Sequence, residues 1–233
     1  MAMSVQPISP MSVVSRIWDL YRDQFAVLIG TAICLYALQF VINLILPGSA
    51  GVALAILFWA LSILYQGMVV KLVQDVQDGR RDNSIGDLVR GVEPVFWPLV
   101  AVSILFGLGV GIGFILLIVP GLVLLVIWSV VAPVTVLERP GVFHAFGRSR
   151  ELVRGNGWNV FGVIVLVFLA VAVVSVAAGI AADSLGSVGR SLVQWAVNAA
   201  LAPVTALSAS VLYFALRRPQ SDSLGSSPAS TAY

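Results

Sequence analysis

Long continuous apolar runs, broken only by short charged stretches, fill the chain from Phe25 to Leu216, and they restrict its fold more than any other property. A helix crossing a hydrocarbon core of roughly 30 Å needs about 20 mostly apolar residues. Six segments meet or approach that length: 25–46, 52–70, 96–118, 122–137, 158–182 and 192–216. The runs do not alternate between polar and apolar, so spanning strands are excluded. Hydrophobic residues make up 59% of the sequence and charged residues only 10%, whereas soluble domains carry about a quarter charged residues. A bilayer is the expected solvent. At about 1.5 Å per residue the fourth run reaches only ~24 Å, so the third and fourth runs are predicted to form a tight hairpin. Its turn, Val119-Pro120-Gly121, is expected near the membrane surface.

The basic residues fix an orientation. With six spans, Arg16, Arg22, Lys71, Arg80, Arg81, Arg90, Arg139, Arg148, Arg150, Arg154, Arg217 and Arg218 all fall on one side, and Arg190 alone falls on the other. Cytoplasmic loops hold the excess of Lys and Arg, which predicts an inner-membrane, multi-pass protein with both termini cytoplasmic. Net charge is only +2 and the basic residues are dispersed between apolar runs, so no nucleic-acid partner is expected. Residues 1–11 form an N-terminal tail without the basic start of a secretory signal. Residues 219–233, rich in Ser, Pro and Ala, are predicted to be a disordered cytoplasmic tail.

A short signature recurs within this frame. Asp19-Leu20-Tyr21-Arg22, Asp87-Leu88-Val89-Arg90 and Glu151-Leu152-Val153-Arg154 each precede an apolar run, and Asp23, Gly91 or Gly155 follows. The spacing divides residues 12–218 into three repeats, about 12–79, 80–139 and 140–218. The later halves echo it: Ala132-Pro133-Val134-Thr135 returns as Ala202-Pro203-Val204-Thr205. The fold class that follows is all-α integral membrane, with six transmembrane helices as three parallel hairpins, each preceded by a short cytoplasmic amphipathic helix. In the first such helix Val14, Ile17, Trp18, Tyr21 and Phe25 are expected to share the apolar face. In the third the face is Val142, Ala145, Phe146, Ser149 and Val153.

Residues 113–169 carry a family resemblance. Ile118-Val119-Pro120-Gly121, then Pro133, Glu138, the run Ser149 to Gly155 and the aromatic Trp158 form a pattern that resembles a bacterial six-span membrane family. It is similar to the membrane domain that stands ahead of some glycerophosphoryl diester phosphodiesterases, and to membrane proteins of the UPF0259 kind. Asp19 to Arg22 fits the opening helix of the same family, so the resemblance covers most of residues 13–216. It implies a bacterial membrane protein. No stretch offers the alternating strands and helices of a phosphodiesterase barrel with metal-binding His and Glu, so hydrolase activity is not implied.

Candidate chemistry is sparse. The only histidine, His144, has no cysteine and few acids near it, and Cys34 lies inside an apolar run as a small packing residue. No catalytic set, metal site or cofactor is expected. No charge lies near a span's centre; Lys71 and Glu138 sit at span ends, where long side chains can snorkel. Gly107, Gly109, Gly111 and Gly113 read as overlapping small-xxx-small pairs for close helix contact or self-association. Gln39 with Asn43, and Gln194 with Asn198, lie one turn apart as a candidate polar cluster. Interhelical hydrogen bonding and a solute site are both open readings of it. Pro133 and Pro203 deprive Ser129 and Ala199 of an amide partner and are expected to kink their helices. Arg22, Arg90 and Arg154 are either i,i+3 partners of the signature acids or a ring that touches anionic lipid headgroups. The reading is a non-enzymatic inner-membrane module, accessory or scaffolding, in lipid or envelope handling. The alternative is a small-solute or lipid transporter or channel with a cavity between the hairpins.

Overall fold

The structure is a computed structural model that describes the backbone of residues 9–45, 51–79 and 85–225, and the side chains of 9–38, 54–79, 86–186 and 188–217. Among the described residues every regular element is helical: α1 (Pro10–Asp23), α2 (Phe25–Ile45), α3 (Gly51–Gln77), α4 (Ile85–Val92), α5 (Phe96–Leu116), α6 (Ile118–Ile127), α7 (Val131–Leu137), α8 (Val142–Val153), α9 (Gly157–Ala182) and α10 (Gly186–Gly225), with single 3-10 turns at Glu93–Val95 and Asp183–Leu185. Among the described residues five stretches are long and apolar enough to cross a membrane: Leu54–Gln77, Gly86–Leu116, Ile118–Leu137, Gly157–Leu185 and Val188–Arg217. The expected sixth, in α2, appears as the shorter apolar helix Phe25–Leu38, because the side chains beyond Leu38 lie outside the described residues.

Local chemistry explains where the helices start. Ser9 caps α1 by accepting a hydrogen bond from the Ser12 amide at 3.3 Å, and Pro10 begins the helix where its missing N–H is not needed. Its buried stripe is Val13, Ile17 and Leu20. That is a rotation from the expected face, since Trp18 and Phe25 are exposed. Bulky rings at a bilayer interface need not enter the protein core, and the Trp18 ring is instead covered by the Arg22 guanidinium at 5.3 Å.

The α5–α6 hairpin turns earlier than expected. Leu117, extended at φ −164° and ψ 149°, is the single residue between the helices, and Pro120-Gly121 lies inside the first turns of α6. Proline is tolerated there because the first amides of a helix have no intrahelical acceptor. Gly121 has a packing role: a Cβ on it would meet the Phe114 ring and backbone within 2.8 Å, and a Cβ on Gly113 would lie 2.9 Å from the Gly121 Cα.

The two prolines part company. α6 stops at Ile127 and the turn at Trp128–Val130 leads into α7, so the span that holds Pro133 is interrupted where its ring removes a helical bond. Pro203 is buried within α10, which continues through it as one helix. α10 also runs on to Gly225, past the point where the disordered tail was expected to begin. A helix already nucleated over many turns extends at small cost per residue.

α10 is the hub of the packing and touches α1, α2, α3, α7, α8 and α9. The main core draws Leu28, Val73, Val102, Val130, Val153, Val160, Leu207 and Tyr213 from six helices and the turn before α7. A second, smaller cluster of Ile63, Val70, Val92, Val95, Leu99 and Val136 joins α3, α4, α5 and α7.

Candidate functional site

The three signatures share one arrangement, and its invariant is the leucine. Leu20, Leu88 and Leu152 are all buried in the same core, while Asp19, Arg22, Asp87, Arg90, Glu151 and Arg154 are exposed. The expected i,i+3 ion pair forms only in the second copy, where Arg90 Nη1 lies 3.8 Å from Asp87 Oδ1. In the first copy Arg22 stacks over Trp18. In the third, Glu151 pairs with Arg148 at 3.2 Å, and Arg154 stands at the C-cap of α8 with ψ 127°, outside the helix. The following glycines also differ in purpose. Gly155 has φ +88°, a conformation that disfavours other residues, whereas a Cβ on Gly91 would meet the Lys71 side chain at 3.1 Å.

A polar network ties the third signature helix to the hub. Arg139, at φ +51°, and Gly141, at φ +90°, reverse the chain between α7 and α8 and return Arg148 to Glu138. Arg148 Nε donates to Glu138 Oε2 at 2.9 Å, and the Tyr213 hydroxyl of α10 donates to Glu138 Oε1 at 2.8 Å. The Ser149 hydroxyl, buried, donates to the Ile127 carbonyl at 2.8 Å. Burial pulls the Arg148 pKa down, but the hydrogen bonds and charges of Glu138 and Glu151 outweigh it and hold the guanidinium above its ordinary value. Glu138 is thus the acceptor of a three-element junction and not simply a snorkelling end. Sequence reasoning did not assign Arg148 or Tyr213; the joint presence of Glu138 and Ser149 in the family-like pattern was the available signal. A parallel link joins α1 to α10, where the Tyr21 hydroxyl donates to the Ala200 carbonyl at 3.3 Å. Burial pushes the Tyr21 hydroxyl pKa up.

The other candidates separate cleanly. Gln194 Nε2 donates to Asn198 Oδ1 at 3.1 Å within α10, and both residues are exposed. The side chains of Gln39 and Asn43 lie outside the described residues. Gly109 and Gly113 face inward: a Cβ on Gly109 would meet the Trp128 ring, and one on Gly113 would meet Gly121. Gly107 and Gly111 face open space. His144 is exposed, and so is Cys34, which was expected to pack internally. Among the described residues no group of His, Cys, Asp and Glu could hold a metal ion.

Five helices of this length and hydropathy, with no strand among the described residues, are the build of a multi-pass helical membrane protein. The chain is similar to a UPF0259 membrane protein of Pectobacterium carotovorum subsp. carotovorum, with 30% identity over 95 residues. Those residues are 41% of this chain and 38% of the relative, so the chain spans well under half of the relative's length. No family model matches the chain, and no solved structure matches it. The expected likeness to the glycerophosphoryl diester phosphodiesterase membrane domain is not among these similarities.

Proposed function

We propose that the chain is a non-enzymatic scaffold of a bacterial inner membrane, with six spans and both termini cytoplasmic, which holds anionic lipid at its cytoplasmic face in lipid or envelope handling. The observation that carries this reading is the common build of α1, α4 and α8: a leucine sunk into one core and an arginine left exposed in each. Large exposed aromatics accompany them, Trp18 on α1, Trp97 just past α4, Phe143 on α8 and Trp158 just past it. Aromatics with basic residues are the composition of a membrane interface. Anionic headgroups draw such arginines by roughly 1 kcal/mol each. The Glu138 junction supplies the rigidity a scaffold needs, since it fixes α8 to both α7 and α10. A transporter would need a continuous polar path, and the Gln194–Asn198 pair is satisfied within its own helix. Native mass spectrometry of the detergent-released protein tests the reading. Retained anionic lipid should be lost when Arg22, Arg90 and Arg154 are all replaced by Ala; unchanged retention would sink it.

A further inference from the structure

Among the described residues Arg139 alone, glycines apart, has a positive φ, at +51°, and it stands directly before Pro140. Both features count against an arginine there. A bulky side chain strains a left-handed backbone, and a following proline narrows the choice further. Such strain persists where the side chain has a role that glycine could not fill. The guanidinium leaves the turn between α7 and α8 and reaches α4, where its Nη2 lies 3.5 Å from the Gly91 carbonyl oxygen. Lys71 of α3, the only lysine in the chain, comes to the same residue: a Cβ on Gly91 would lie 3.1 Å from its Cε and 3.7 Å from its Cγ. Neither cation is neutralised. Lys71 Nζ donates to Gln74 Oε1 of its own helix at 2.9 Å, and among the described residues no carboxylate lies within 4.0 Å of Lys71 or Arg139. Glu138, next to Arg139 in sequence, is taken by Arg148 and Tyr213, and Asp87 pairs with Arg90. Lys71 is half-buried, and a charge drawn out of water is costly until an opposite charge meets it.

We propose that Lys71 and Arg139 hold one phosphate group beside Gly91, the phosphodiester of an anionic membrane lipid. The ammonium acts as a point charge, and the guanidinium gives up its long bond to the Gly91 carbonyl and donates two parallel hydrogen bonds to phosphate oxygens. The height is that of headgroups. Trp97, 76% exposed, follows Gly91 by about 9 Å of helical rise, and exposed tryptophan marks the interfacial belt of a membrane. A free phosphate offers the same oxygens, so the test carries both sources. The proposal rests on the reading that anionic lipid is held at the cytoplasmic face, but it uses none of the three signature arginines.

Because the chain has one lysine, reductive methylation with 13C-formaldehyde places a single side-chain NMR reporter at the site. In full-length protein in phosphatidylcholine nanodiscs, the Lys71 methyl resonance should shift and saturate as phosphatidylglycerol is added. Arg139→Gly, which relieves the backbone strain, should lower that shift several-fold without lowering the melting temperature. Gly91→Ala, which crowds the Lys71 methylenes, should do the same by an independent route. Inorganic phosphate added to nanodiscs of phosphatidylcholine alone separates the sources: a response to phosphatidylglycerol only assigns the site to lipid, and an equal response to phosphate assigns it to the free ion. No response to either, or a response that Arg139→Gly leaves unchanged, would overturn the proposal. Replacing Arg22 and Arg154 by Ala should not alter the Lys71 response, and its loss there would also overturn it. Native mass spectrometry counts all retained lipid whereas the Lys71 resonance reports this site alone, so this proposal and the signature-arginine reading can fail separately.

Discussion

At the scale of single residues, the signature leucines and the signature charges do different work. Leu88 is 3% exposed, whereas the Arg90 side chain is 82% exposed and its contact with Asp87 is long. Truncating a buried leucine typically costs about 2–5 kcal/mol, and surface charges change stability by about 0.5 kcal/mol or less. Thermal unfolding in nanodiscs should therefore show a large loss for Leu88→Ala and almost none for Arg90→Ala; equal losses would contradict this division. Tyr213→Phe removes a hydrogen bond to a carboxylate that lies beside a fully buried ring. A loss of about 1.5–3 kcal/mol is expected. In a double-mutant cycle with Glu138→Gln the two changes should be less than additive. The recurrence of acid-Leu-x-Arg was plain in the sequence, but its meaning was not. Periodicity shows that three positions are alike without showing which of the four letters the core selects. The ion pairing failed to carry over because Arg22 finds a ring and Glu151 finds Arg148, both set by neighbours that differ among the copies.

At the scale of elements, close approach through glycine holds the α5–α6 hairpin together. A Cβ on Gly113 would fall 2.9 Å from backbone, which cannot rotate away, whereas Gly107 faces open space. Gly113→Ala should destabilise by about 1–3 kcal/mol, and Gly107→Ala should be neutral or slightly stabilising by helix propensity. Similar melting of the two variants would count against this packing. The small-xxx-small spacing offered two faces, and only the fold says that Gly109 and Gly113, not Gly107 and Gly111, pack inside the chain. Helix existence was legible throughout, because long apolar runs leave no alternative. Boundaries were not: Pro120-Gly121 was read as a turn by its composition, yet it sits in α6 because proline is at home in a helix's first turn. Pro133 and Pro203 occupy matching tetrapeptides, and one accompanies a break while the other lies in continuous helix. What separates them is the surrounding contacts, with α8 holding the Ile127 carbonyl through Ser149 in the first case.

At the scale of the whole molecule, the three signature helices reach one core around α10, which touches six other helices. The hub was hidden from the sequence because the repeat treats the hairpins as equals, whereas α10 contacts the first and third signature helices, α1 and α8, and also α3, against which the second signature helix α4 packs. The central claim is that α1, α4 and α8 lie on the cytoplasmic face, so that Arg22, Arg90 and Arg154 meet the same leaflet. Single cysteines at these three positions, in protein with Cys34→Ala, can be probed with a membrane-impermeant maleimide in right-side-out and inside-out vesicles. All three should label only in inside-out vesicles, with Arg190→Cys labelling only in the opposite orientation. Labelling of any one of the three from the outer face would contradict the account.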